Sequence, residues 1–235
     1  MNNAPPIILD AADPCSPLAV PPSKTALLLL DFHSFIVASQ PDAGKDVVTL
    51  AAQLRSWART KGMFIVHCGI DFRAVTPANR KMAKRANGVQ QRMTQGPQGG
   101  LEAQKGIASP EVLAPAPGEY LFYRPPSNVS ALGSYGLEAF LAAHCIESLV
   151  LTGFSTSMCV LNTAKDAADS GFVVTVIRDA TGDKDAVVHD TILNKVVVGQ
   201  VHVSAREEYM AAWEAKEDQD TSAVASQLAR TKVVD

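Results

Sequence analysis

The chain has 235 residues, 47% hydrophobic and 19% charged, which is the composition of a globular protein with room for one large α/β domain. A net charge of -3 and a sequence pI near 6.0 argue against nucleic acid or an anionic membrane as the main partner, since neither is attracted to a mildly acidic surface, so neither is expected. Four cysteines lie far apart with no C-x-x-C pair, which excludes a disulfide framework and a structural zinc knot, and the Met1-Asn-Asn-Ala-Pro-Pro start lacks the basic and apolar regions of a leader, so the chain reads as cytoplasmic.

Residues 1–23 are rich in Pro, Ala and Asp without apolar periodicity and read as an extended arm, lying on the surface or against a neighbouring subunit. Thr25-Ala-Leu-Leu-Leu-Leu-Asp31 is apolar until its last residue and too short for a core helix, as a parallel strand buried on both faces would be. Residues 46–60 carry Val47, Leu50, Ala51, Leu54, Trp57 and Ala58 at helical spacing before a stop at Lys61-Gly62, and residues 63–68 read as a second strand. Strand, helix, strand is the order of a right-handed βαβ unit. Residues 69–117 lose this pattern and read as a long insertion with one helix, serving as a lid or an oligomer contact. Strands at 119–124, 147–152, 171–179 and 200–204 then alternate with helices at 137–144, 158–170, 185–198 and 205–215. From Lys216 the composition turns polar, and residues 216–235 read as a frayed tail. The alternation predicts an α/β domain over 24–215: a three-layer, doubly wound, mostly parallel sheet of about six strands with helices on both faces.

Chemistry is expected where the strand ending at Thr152 meets Gly153 and a short polar turn leads into the next helix. Cys159 falls near the start of that helix, where unpaired N–H groups and the positive end of the helix dipole lower a thiol pKa and can hold an oxyanion. The alternative is a small apolar cysteine packed behind the strand. Asp31 after the first strand, Arg124 after the third and Cys159 after the fourth share the sheet edge at which open α/β sheets bind ligands. A thiol beside a carboxylate and a cation is a workable nucleophile, because the carboxylate can take its proton and the cation favours the anion. Taken singly, Asp31 could equally be a cap and Arg124 an ion-pairing residue.

The block from Leu149 to Ala180, with its Thr152-Gly-Phe-Ser-Thr-Ser-Met-Cys159 turn, resembles the signature of isochorismatase-like cysteine hydrolases. Thr25 to Asp31 resembles that family's first strand, and a looser likeness runs over about residues 24–212. The resemblance implies hydrolysis of a C–N bond (amide, ureido or carbamoyl) in a small-molecule substrate through a thioester on Cys159, with an Asp–Lys–Cys triad. It further implies Asp31 as the base, the backbone N–H groups of Ser155 and Cys159 as the oxyanion hole, a non-proline cis peptide at Phe154-Ser155, and assembly as a homo-oligomer. Isochorismatases proper cleave a vinyl ether and lack the nucleophilic Cys, so Cys159 favours the amidohydrolase side.

Two departures qualify this. Arg124 stands where the family has its Lys, and an arginine keeps the charge but does not give up a proton. A catalytically impaired member that binds a small molecule or a protein is therefore the competing expectation. Nicotinamidases of the family carry an Asp-x-His metal site after the second strand, whereas Asp71-Phe72-Arg73 lacks the His, so neither a metal nor another cofactor is expected. The substrate-pocket candidates are His33, Phe35, Phe72, Arg73, Phe154 and Met158, with Arg73 suited to gripping a carboxylate. Asp179 ends the fifth strand and is expected to cap the turn after it.

Overall fold

A computed structural model describes residues 9–40, 43–95 and 105–231. Six strands, β1 (Thr25–Leu30), β2 (Phe64–Ile70), β3 (Tyr120–Arg124), β4 (Ser148–Phe154), β5 (Val173–Gly182) and β6 (His202–Ser204), form one sheet in the order β3-β2-β1-β4-β5-β6. Every pairing is parallel. Helices α1 (Ser34–Ala38), α2 (Ala43–Thr60), α3 (Ala83–Gln95), α4 (Leu137–Ala143), α5 (Leu161–Asp169), α6 (Ala186–Thr191) and α7 (Arg206–Thr231) accompany the sheet, together with short 3-10 and π turns.

The unbroken apolar run of β1 follows from burial on both faces. Ala26, Leu28 and Leu30 pack toward Leu137, Leu141, Ala164 and Ala167 of α4 and α5, while Leu27 and Leu29 pack toward Ala51, Leu54, Tyr209 and Trp213 of α2 and α7. The result is the expected three-layer α/β architecture. The chain winds from β1 outward through β2 to β3, returns to β4 beside β1, and winds the other way through β5 to β6. At such a reversal the carboxyl ends of two central strands diverge and leave a crevice.

Gly153 controls how closely those two ends meet. Its φ is +121°, and a Cβ there would stand 2.0 Å from the Leu30 carbonyl oxygen, so any other residue would push β4 off β1. On the other flank, β5 pairs Leu151 with Val176 and then Gly153 with Thr181, so two steps along β4 accompany five along β5. This bulge carries β5 on to Gly182 and delivers Asp183 and Lys184 to the crevice.

Several elements differ from expectation. The polar segment from Lys216 continues as helix α7 to Thr231, helped by an i,i+4 pair between Lys216 and Asp220 and by Lys61, just past the end of α2, reaching Glu217. The described part of the N-terminal arm lies on its own domain, with Leu9, Leu18 and Val20 buried and the Cys15 carbonyl against His202. Helix α1 was not foreseen. The helices expected at 158–170 and 185–198 are each partly a wide π turn, at Thr156–Val160 and Ile192–Val196. Among the described residues no helix is long and apolar enough to cross a membrane.

Candidate active site

Asp31 leaves β1 with φ 53°, a left-handed conformation that aspartate tolerates better than most residues. Its N–H donates to the Cys68 carbonyl at 2.9 Å, which fixes the backbone and aims the carboxylate at Arg124 from the end of β3. The two side chains meet in a bidentate pair, Nη1 to Oδ1 at 2.8 Å and Nη2 to Oδ2 at 2.6 Å. Arg124 is further held through Nε by the Asn128 carbonyl at 2.9 Å. Asp31, Arg124 and Cys159 are 4%, 2% and 1% exposed, so the charge pair and the thiol share a dry environment in which electrostatic effects are strong.

Cys159 sits in the turn Thr156–Val160 that follows the cis Phe154-Ser155 peptide. The Ala131 N–H donates to Thr163 Oγ1 at 2.8 Å, which leaves the Thr163 hydroxyl proton free to point toward Cys159 Sγ, 3.8 Å away. Burial pushes the thiol up to about 12, the Asp31 carboxylate adds to the rise, and Arg124 opposes it. A helix start was expected to lower the thiol; desolvation and the facing Asp31 carboxylate act in the opposite direction, against Arg124 and Thr163. Arg124 has a raised pKa; burial would lower it, but Cys159 and Asp31 together hold the proton on.

Above these groups opens a cavity of about 440 Å³, within the range of small-molecule sites. Asp31, Arg124, Ser155 and Cys159 line it, and so do four of the six pocket candidates, Phe35, Phe72, Phe154 and Met158. His33 and Arg73 do not. The His33 ring packs against two of the wall residues, 5.9 Å from Phe35 and 5.1 Å from Phe72 between ring centroids, where Nε2 accepts from the Ile70 N–H at 3.0 Å and Nδ1–H donates to the Ile107 carbonyl, and burial keeps its pKa low. Its role there is to clip two loops together. Arg73 is turned outward because Asp71 Oδ1 accepts its N–H at 3.0 Å, and its side chain is 89% exposed. Asp179 accepts the Arg206 N–H at 2.8 Å and so caps α7 rather than the next turn.

Other wall residues escaped sequence reasoning. Lys184 and Gln40 both line the cavity, as do Met82 and Ala86 from the long segment after β2. Thr163 could have been found as the residue one helical turn beyond Cys159. The turn itself is pinned from β5 and α6: Asp183 accepts from the Ser157 N–H at 2.7 Å and its hydroxyl at 2.6 Å, and Thr156 Oγ1 bonds His189 Nδ1 at 2.7 Å. Among the described residues no three His, Cys, Asp or Glu side chains cluster as metal ligands would.

The sequence model of the Isochorismatase domain matches residues 25–208. A maleamate amidohydrolase of Pseudomonas putida is 30% identical over 174 residues, which cover 72% of this chain and 78% of that protein. An N-carbamoylsarcosine amidase of Arthrobacter sp. is 35% identical over a shorter stretch of 72 residues, 31% of this chain and 26% of that one. An isochorismatase family protein from Burkholderia thailandensis superposes with a TM-score of 0.67 at 21% identity, covering 82% of this chain and 96% of its own. The N-carbamoylsarcosine amidase of Thermoplasma acidophilum gives a TM-score of 0.60 at 21% identity over 78% of this chain and 96% of its own, a likeness of fold.

Proposed function

The chain belongs to the isochorismatase family of hydrolases, and from that premise we propose that it cleaves the C–N bond of a small carboxamide, ureido or carbamoyl compound through a thioester on Cys159. The observation that carries this reading is the buried Asp31–Arg124 pair lying with the Cys159 thiol at one end of a cavity of substrate size. The amidase names of the two curated relatives support it.

The thiol rests in its protonated form, so the sulfur becomes nucleophilic as its proton passes to Asp31. The S–C bond forms, and the carbonyl electron pair moves onto oxygen, where the backbone N–H groups of Ser155 and Cys159 receive it. Collapse breaks the C–N bond, and the nitrogen leaves with the proton held by Asp31. Asp31 then takes a proton from water, the hydroxyl attacks the thioester, and the acid is released as the proton returns to sulfur. Arg124 gives up no proton at any step. Its work is to hold Asp31 in register and to balance the negative charge that moves among carboxylate, sulfur and oxyanion.

The test is ammonia release from maleamate and N-carbamoyl amino acids, combined with intact-mass detection of an acyl group on Cys159. Turnover that disappears in Cys159→Ala supports the reading. Ammonia release that survives Cys159→Ala overturns the thioester, and vinyl-ether chemistry would show instead as hydrolysis of a vinyl ether by the Cys159→Ala chain with no ammonia from any amide. A second reading, a binding protein with decayed catalysis, is favoured by one feature: both oxygens of Asp31 are already engaged by Arg124. Amide hydrolysis that appears only in Arg124→Lys would support it.

A further inference from the structure

The turn that carries Cys159 is fastened from outside at two adjacent residues. Asp183, just past β5, accepts from the Ser157 N–H and hydroxyl, and His189 of α6 meets Thr156 Oγ1 through Nδ1 at 2.7 Å. Asp185 accepts the Val187 and Val188 N–H groups at 2.9 and 3.2 Å and so fixes the start of α6. Thr156 is fully buried and lies in the chain between Ser155 and Cys159, the two residues whose N–H groups receive the oxyanion in the proposed reaction. That reaction uses neither Thr156 nor His189.

The direction of the Thr156–His189 bond follows from the groups that are present. Among the described residues His189 Nδ1 is the one hydrogen-bond partner of the Thr156 hydroxyl. A protonated Nδ1 would donate, and the buried hydroxyl proton would then have no acceptor, an arrangement that folded proteins avoid. With the ring proton on Nε2, Nδ1 accepts from the hydroxyl and both groups are satisfied. The surroundings of the ring favour this neutral form. Burial lowers its pKa below 6.5, Asp190 on α6 and Asp183 in the β5–α6 link pull it back up, and Arg178 on β5 pushes it down. The turn Thr156–Val160 presents no acidic or basic side chain to the ring other than the Cys159 thiol.

We propose that His189 is a positioning residue: its neutral ring accepts the Thr156 hydroxyl proton and so holds the Ser155 and Cys159 N–H groups where the reaction needs them, and a proton gained by His189 releases the turn and slows turnover. This rests on the amide-hydrolase reading of the site. When Nδ1 takes up a proton it becomes the donor, the Thr156 hydroxyl has to turn away, and the turn loses the contact that fixed it. His189 touches no reacting atom, and its effect passes through Thr156. A small displacement is enough, since misplacing a reacting group by about 1 Å can cost on the order of a hundredfold in rate.

The substrates are maleamate and N-carbamoyl amino acids, with kcat followed from about pH 5 to about pH 8. In the parent chain kcat falls as pH drops below 6.5. His189→Leu and Thr156→Val each lower kcat by about tenfold with KM little changed, and the two together lower it no further than either alone. His189→Asn sets a carbonyl oxygen where Nδ1 stood, so it accepts from Thr156 without titrating; it restores most of kcat and removes the acid limb. An acid limb at the same pH in His189→Asn, or losses that multiply in the double variant, overturns the proposal. A second measurement does not depend on turnover. In NMR spectra the Ser155 and Cys159 amide signals move with the His189 titration in the parent chain and stay still over that range in His189→Asn. Amide signals indifferent to the His189 titration overturn the proposal. Signals that follow it in a chain that releases no ammonia uphold the Thr156–His189 clasp and remove the hydrolase reading instead.

Discussion

Strand β3 carries a buried arginine–carboxylate pair at each end, and the two are built for different work. At its carboxyl end Arg124 holds Asp31, whose remaining neighbour is a thiol and whose outlook is a cavity. At its amino end Glu119 accepts Arg55 Nε and Nη2 at 2.8 and 2.6 Å, Arg59 Nη1 at 3.3 Å, His67 Nε2 at 2.8 Å and the Ala116 N–H at 3.0 Å. Arg55 also donates to the Val112 and Ala114 carbonyls at 3.1 and 2.9 Å. Every lone pair of Glu119 is taken, so the cluster ties the 111–119 loop to α2 and β2 and has no capacity left for a proton. Burial and a salt bridge are common to both pairs. What sets the Asp31 pair apart is the thiol and the cavity beside it.

The widest separation between the pairs comes from neutralising each acid. Asp31→Asn removes the base and lowers kcat by a factor on the order of 10³ or more, as loss of a member of a catalytic unit does. Glu119→Gln leaves kcat within a few-fold. Each variant strands a buried arginine and loses about 3 kcal/mol of stability, so chemical unfolding followed beside activity separates folding from chemistry. Equal losses of kcat would erase the distinction between the two ends of β3.

The next effect concerns the thiol. With its pKa pushed up to about 12, Cys159 carries little thiolate at neutral pH, and iodoacetamide alkylates the exposed Cys15 and Cys145 about a hundredfold faster. Peptide mapping of a short alkylation reads this directly, and Cys159 modified first would mean a thiolate at rest. A smaller effect is expected from Arg124→Lys. Lysine keeps the charge but cannot hold both Asp31 oxygens, so kcat/KM falls by about tenfold. A rise instead would favour the binding-protein reading.

The central strands were legible because residues buried on both faces leave an apolar run, as in Leu27 to Leu30. The Cys159 turn was legible because strand, glycine and turn adjoin in sequence. Lys184 was not, since only the bulge in β5 brings it to the crevice, and a bulge leaves no periodic trace. His33 was expected in the wall and stands against its Phe35 and Phe72 rings, for a related reason. The left-handed Asp31 redirects the chain, so spacing along the sequence no longer tells which face a side chain takes. The Glu119 cluster joins residues 52 and 64 apart in sequence, and its members look like ordinary surface charges until the fold assembles them.

The smallest expected effect is the pH dependence of that cluster. Burial of Glu119 would raise its pKa, but Arg55, the Ala116 N–H and His67 outweigh burial and hold it down to about 2, against an ordinary 4.5. A folded-state value below the unfolded one means that the ionised cluster stabilises fully above about pH 4.5 and loses that contribution as pH falls toward about 2. His67 runs in the same direction. Burial lowers its pKa below 6.5, so the unfolded chain takes up the proton first and stability begins to decline as pH drops through that value. Urea unfolding of the parent chain and of Glu119→Gln, compared from about pH 7 to about pH 3, should therefore show a gap that narrows once pH falls below about 4.5. A gap that stays constant to the acid end would mean that the Glu119 carboxylate gains nothing from its donors on folding, and the contrast between the two ends of β3 would then rest on catalysis alone.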